Sequence, residues 1–166
     1  MCDSGTFARW VHRFYRFQKP HTQAGPMSGA MGYAAPAALG ATLARPGAQV
    51  VAFAGDGGFL MSGQELVTAV QHKLPVKFIL CDNNAWGSIL VSQQRRFGSE
   101  GVFGTRLDSP DFAMVAKGYG VASFTVEKTT EFGPAFAEAL AADGPALVHL
   151  KIDERDVSPF TDEVSV

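Results

Sequence analysis

The stretch QVVAFAGDGGFLMSGQEL, residues 49–66, reads as a short apolar strand that runs into a helix, with a carboxylate between glycines at the join. Working outward, FLMSGQELVTAVQHK predicts one helix over 59–73, although Leu60, Met61, Leu66, Val67 and Val70 fit a 3.6-residue period poorly at first and better later. Leu74-Pro75 ends that connection. VKFILCD, residues 76–82, is a second strand without polar alternation, as expected of a strand covered on both faces of a parallel sheet. Upstream, SGAMGYAAPAALGATLA predicts a helix over 28–44, apolar nearly all round and so buried on most sides, stopped by Arg45-Pro46-Gly47. Downstream come the polar loop NNAWGS, a helix in DFAMVAKGYG, the strand ASFTVE, the helix TEFGPAFAEALAA and the strand ALVHLKI. This alternation predicts an α/β fold: three layers, a mostly parallel sheet with helices on both faces.

Composition bounds the rest. A length of 166 residues fits one domain, 1–166. Hydrophobic residues at 46% against 18% charged allow a sizeable core, and a net charge of −2 excludes a basic nucleic-acid footprint. Cys2 and Cys81 match no metal spacing, and Cys81 falls in an apolar run, so no disulfide framework is implied and the reducing cytoplasm is the expected compartment. No apolar run reaches the roughly 18 residues of a membrane span. FARWVHRFYRF places Phe7, Trp10, Val11, Phe14 and Phe17 on one helical stripe. Asp3 before it, and the want of a Ser-rich spacer, favour an ordinary packed helix capped by Asp3 or Ser4 over a targeting segment.

In parallel sheets ligands bind outside the carboxyl ends of the strands. Two such ends are polar here: Gly55-Asp56-Gly57-Gly58 and Asp82-Asn83-Asn84. Glycines admit close backbone approach, and a helix N-terminus favours an anion. Asp56 beside that anion would repel it unless a cation lies between them. Mg2+ suits this role, since it takes oxygen ligands and is commonly shared between one or two protein oxygens and phosphates. An asparagine amide on the neighbouring strand end is a suitable second ligand. Two other readings stand beside this one. Asp-Gly and Asn-Asn are ordinary turn dipeptides. Gly55-x-Gly57 after a strand also resembles the start of a dinucleotide fingerprint, but its third glycine would fall at Leu60.

Order and spacing of these pieces resemble the diphosphate-binding domain of thiamine diphosphate-dependent enzymes, in the group of acetolactate synthases, 2-oxo acid decarboxylases and carboligases. The resemblance lies in GAMGYAAPAALGA, in GDG followed by an Asn-rich loop with Asp56 and Asn83 27 positions apart (83 − 56), and in LDSPDFAMVAKGYG and GPALVHLKI. It implies Asp56, Asn83 and the Ala85 carbonyl as ligands of Mg2+, with Gly55 and Gly87 also among the cofactor-binding residues. Gly57 and Gly58 would give N–H bonds to the diphosphate. Met31 would wedge beneath the bent cofactor, and the Gly29 carbonyl would accept from its pyrimidine amino group. Setting Trp86-Gly87 on the family's aromatic-Gly pair selects Asn83; a slip of one selects Asn84. Asp82 receives a capping role at most.

The resemblance implies a small 2-oxo acid substrate and no catalytic side chain in this chain, because the family's activating Glu lies on a pyrimidine-binding domain that nothing here matches. A pyrimidine-binding domain or subunit, in a homo- or hetero-oligomer, is therefore the implied partner, with the chain silent alone. SILVSQQ after Gly87 carries no aromatic residue, where the resemblance implies that biosynthetic acetolactate synthases tend to have one, which leaves other decarboxylases and carboligases open beside acetohydroxy acid synthesis. Arg95 and Arg96 read as solvated, His149 as structural, and His21 is the histidine to test. A non-catalytic assembly subunit of the same fold and a dinucleotide-binding oxidoreductase module are the alternatives.

Overall fold

The structure is a computed structural model that describes residues 1–157 and 159; the remaining positions of the expected 1–166 domain lie outside the described residues. Four strands, β1 (Val51–Gly55), β2 (Lys77–Asp82), β3 (Ala122–Val126) and β4 (Ala146–Lys151), form one parallel sheet in the order β1-β2-β4-β3. Among the described residues seven α-helices and a short 3-10 helix (Ser99–Gly101) accompany them: α1 (Ala8–Phe14), α2 (Ala34–Ala44), α3 (Asp56–Ser62), α4 (Glu65–Gln71), α5 (Gly87–Phe97), α6 (Phe112–Gly118) and α7 (Thr129–Ala141).

Side chains alternate across a strand, so β1, β2 and β4 each feed two cores, while β3 at the edge feeds one. Ala52, Ala54, Phe78, Leu80 and Leu147 pack with Ala38 of α2, Phe59 of α3, Leu66 of α4 and Phe112 of α6. Their neighbours Val126, Ala146 and Val148 pack with Phe132, Phe136 and Ala139 of α7. Phe53 and Cys81 meet Phe7 and Ala8 at the start of α1. The sheet is thus the middle of three layers, as the alternation of elements predicts. Lys77 opens β2 fully buried; its Nζ donates to the carbonyls of Ala142 (2.6 Å) and Gly144 (2.7 Å), tying the end of α7 to the sheet.

Several expectations are corrected. Residues 28–33 are a loop, because Gly29 (φ +71°) and Gly32 (φ +79°) are left-handed and cannot continue a helix. The helix expected over 59–73 is two helices parted at Gly63-Gln64, which explains its broken period: Phe59 and Leu66 face the core while Leu60 and Met61 are half exposed. α2 is buried on most sides, with Ala34, Ala35, Ala38, Leu39 and Thr42 inside, and leaves the stripe Pro36, Gly40 and Leu43 exposed. Helix α5 lies where no element was expected. Asp3 and Ser4 do not cap α1, whose N-cap is Phe7 without a side-chain bond, and of the aromatic stripe Phe7 is buried while Phe14 is exposed and Phe17 lies past the helix. Residues 1–3 instead run parallel to β1, with Asp3 N–H donating to Phe53 O (2.9 Å) and Phe53 N–H to Met1 O (2.9 Å).

Candidate functional site

Three neighbouring chain segments reach the same edge of the sheet side by side, and each ends in a buried aspartate: Asp3 beside β1, Asp56 after β1 and Asp82 at the end of β2. Each ties its own loop to the next piece of structure. Asp3 accepts the N–H groups of Ser4 (2.8 Å), Gly32 (3.0 Å) and Tyr33 (3.2 Å), which fixes the 29–33 loop. Asp56 Oδ1 accepts from Gly57 N–H (2.8 Å) and Oδ2 from Ala85 N–H (3.1 Å), which draws the loop after β2 against β1. Asp82 Oδ2 meets His149 Nε2 (2.8 Å) and Lys151 Nζ (2.7 Å) on β4.

The electrostatics of two of these carboxylates diverge. Burial alone would raise Asp82, but hydrogen bonds from His149, Lys151 and the Asn84 N–H outweigh it and hold the carboxyl well below the usual range. Asp56 makes no ion pair among the described residues. Burial pushes it up to about 6 against the two N–H bonds that favour its charge, and the nearby Asp82 adds to the rise. Asp56 is thus a buried carboxylate that a cation would relieve.

Asp56 opens on a cleft of about 420 Å3, within the range of small-molecule sites. Gly29, Met31, Gly55, Asp56, Gly57, Gly58, Asn83, Ala85 and Gly87 all line it, so the structure gathers every expected site residue around one space. Asn84, the alternative to Asn83, is exposed and left-handed (φ +54°), and does not line it. Neither do His21, Arg95 or Arg96. Met31 stands 38% exposed at the cleft. Residues 85–87 form an inverse γ-turn, with Trp86 at φ −71° and ψ 68° and Gly87 N–H bonded to Ala85 O (2.8 Å); that carbonyl keeps a second lone pair. The Gly57 N–H assigned to a diphosphate is here bonded to Asp56.

The glycines have packing reasons of their own. A Cβ on Gly57 would fall inside the Trp86 ring, one on Gly58 would lie 2.8 Å from Asp3 Oδ2, and one on Gly55 3.0 Å from the Phe7 ring. The motif is a floor over which two aromatic rings and a carboxylate close. Ser4, Thr6, Phe7 and Arg9 also line the cleft and escaped the sequence reading. A strand of three residues has no periodicity to reveal it, and Asp3 meets its loop 29 positions away; the one available signal was a third Asp followed by small residues, DSGT.

Oxygen donors from Asp56, Asn83 and Ala85 are hard ligands that suit Mg2+. Among the described residues no group of three or more His, Cys, Asp or Glu could hold a metal ion by itself.

Comparison with known proteins decides the family. Residues 3–150 match the family described as thiamine pyrophosphate enzyme, C-terminal TPP binding domain. The chain belongs to that family. This TPP-binding domain is 36% identical over 155 residues to the acetolactate synthase isozyme 2 large subunit of Escherichia coli, covering 92% of the chain and 28% of that protein. It is 33% identical over 159 residues to the probable acetolactate synthase large subunit of Methanocaldococcus jannaschii, covering 95% and 27%. Among solved structures it superposes on the thiamine diphosphate-dependent 4-hydroxybenzoylformate decarboxylase of Rhodococcus jostii with a TM-score of 0.72 and 35% identity, over 78% of this chain and 24% of that one. The domain therefore spans about a quarter of the length of these relatives. Its family cofactor is thiamine diphosphate, and the dinucleotide reading of Gly55-x-Gly57 gives way to it. No helix among the described residues is long and apolar enough to cross a membrane.

Proposed function

We propose that this domain holds thiamine diphosphate through one Mg2+ and forms the diphosphate-binding part of a 2-oxo acid decarboxylase or carboligase. The observation that carries the reading is Asp56: buried at the end of β1, unpaired with any cation among the described residues, and sharing a cleft with Asn83 and Ala85. Asp56, Asn83 and the Ala85 carbonyl hold the ion, and the ion and the first turn of α3 hold the diphosphate. Met31 and Gly29 support the other end of the cofactor from the fixed 29–33 loop. When bound, the cofactor supplies a nucleophilic carbon and an electron sink for loss of carbon dioxide from a small 2-oxo acid. The chain's own residues orient it and exclude water.

The proposal includes a single domain over 1–166, with the pyrimidine-binding part and its glutamate on another domain or subunit. Leu43, Leu60, Met61 and Val67 expose apolar surface on α2, α3 and α4, which supports association in a homo- or hetero-oligomer. Both cysteines are free, which supports the cytoplasm as the compartment.

Trp86 at the cleft gives the test. Thiamine diphosphate with Mg2+ should quench tryptophan emission saturably, and excess chelator should reverse it. Quenching indifferent to metal would contradict the reading. Stable association with no cofactor binding would favour the non-catalytic assembly subunit.

A further inference from the structure

Asp82 is fully buried at the last position of β2, next to the proposed ligand Asn83, and the proposed cofactor site does not use it directly. Its two oxygens do different work. Oδ2 is clamped from β4 by His149 Nε2 (2.8 Å) and Lys151 Nζ (2.7 Å). His149 Nδ1 is buried without a partner, so the proton belongs on Nε2, donated to Asp82. Oδ1 accepts the N–H of Asn84 (3.1 Å), the residue whose left-handed backbone turns the loop. The next N–H, of Ala85, then lands on Asp56 Oδ2 (3.1 Å). The far side of the loop is fastened by Leu107 N–H to Asn84 O (2.8 Å) and Trp86 N–H to Thr105 O (2.8 Å). Ser109 Oγ, 3.4 Å from Asp56 Oδ2, lies between the two carboxylates.

We propose that Asp82, clamped by Lys151 and His149, is the positioning residue of the metal-binding loop: it sets the turn at Asn84 that presents Asn83 and Ala85 to the cation, while its own charge is neutralised from β4. This rests on the metal-site reading above. Without the clamp, two neighbouring carboxylates would compete for one ion, and the loop would lose the acceptor that holds its strained residue. Removing groups that orient metal ligands costs about 10- to 100-fold in metal affinity.

The test uses Asp82→Ala, Asp82→Asn and Lys151→Met with two readouts: amide hydrogen exchange at Asn84 and Ala85 in the metal-free chain, and the Mg2+ concentration that half-saturates thiamine diphosphate binding. Asp82→Ala should abolish protection at Asn84 and raise the Mg2+ requirement about 10-fold or more. Asp82→Asn has one oxygen for donors on two sides, Asn84 N–H on one and His149 and Lys151 on the other, so protection at Asn84 should fall below the wild type there too. A folded Asp82→Ala with wild-type exchange and Mg2+ requirement would overturn the proposal. Should Asp82→Ala fail to fold, a folded Lys151→Met decides: raised exchange at Asn84 supports the clamp, and wild-type exchange and metal requirement overturn it. Absence of Mg2+-dependent binding by the wild-type chain would count against the metal-site reading, and the exchange data would still decide the role of Asp82.

Discussion

In the metal-free chain, Asp56 should make stability fall as pH rises through the weakly acidic range. Its pKa lies at about 6 against 3.8 for an ordinary aspartate, with burial as the main cause and Asp82 as the neighbouring charge; Ser109 and the N–H groups of Gly57 and Ala85 are its donors. The folded chain therefore holds this proton more tightly than the unfolded one. The stabilisation is fully present below about 3.8 and is lost as pH rises through about 6. A gap of about two pKa units at about 1.4 kcal/mol each makes about 3 kcal/mol in all, of which about 2 kcal/mol falls between about pH 4.5 and pH 7.5. Asp56→Asn removes the titration. The amide offers one oxygen to two N–H donors, a pH-independent loss of about 1–3 kcal/mol, so the change with pH is the diagnostic quantity. Urea unfolding of both proteins in chelator at the two pH values should show the variant gaining about 2 kcal/mol on the wild type at the higher pH. A difference that stays flat, or runs the other way, would refute the picture of a carboxylate waiting for a cation.

Other outcomes follow from the same geometry. Lys77→Met keeps the buried stem but strands the carbonyls of Ala142 and Gly144; urea unfolding should show a loss of about 2–3 kcal/mol. Gly57→Ala drives a methyl group into the Trp86 ring, so it should cost about 1–3 kcal/mol and shift tryptophan emission as the ring moves. The purified chain, given thiamine diphosphate, Mg2+ and pyruvate, should release no carbon dioxide above the background of the free cofactor in a coupled assay; turnover would show that no separate pyrimidine-binding part is needed.

β1 and β2 were readable because each is a short apolar run closed by Gly or polar residues, and β3 because its residues alternate, as an edge strand's do. The ends of β1 and β2 were readable for the same reason: a charge one residue past VVAFA, after Gly55, and directly after KFILC has to be explained. What escaped lies in longer-range or backbone-specific physics. The alanines of 34–44 suggested that the helix began at Ser28, but Gly29 and Gly32 take left-handed angles, and Asp3 holds the N–H groups of Gly32 and Tyr33 across 29 and 30 residues. Helix α5 was hidden by SQQRR, since Leu90 and Val91 alone bury its inner face fully. Asp82 passed as a cap because its partners, His149 and Lys151, come from a strand 67 and 69 positions later.

Anomalous diffraction from crystals grown with thiamine diphosphate and Mn2+ in place of Mg2+ tests the central claim most directly. One peak should lie within about 2.0–2.3 Å of an Asp56 carboxylate oxygen and the Asn83 side-chain oxygen, with two phosphoryl oxygens completing the contact. A peak bridging Asp56 and Asp82, or none in this cleft while the cofactor is bound, would contradict the account.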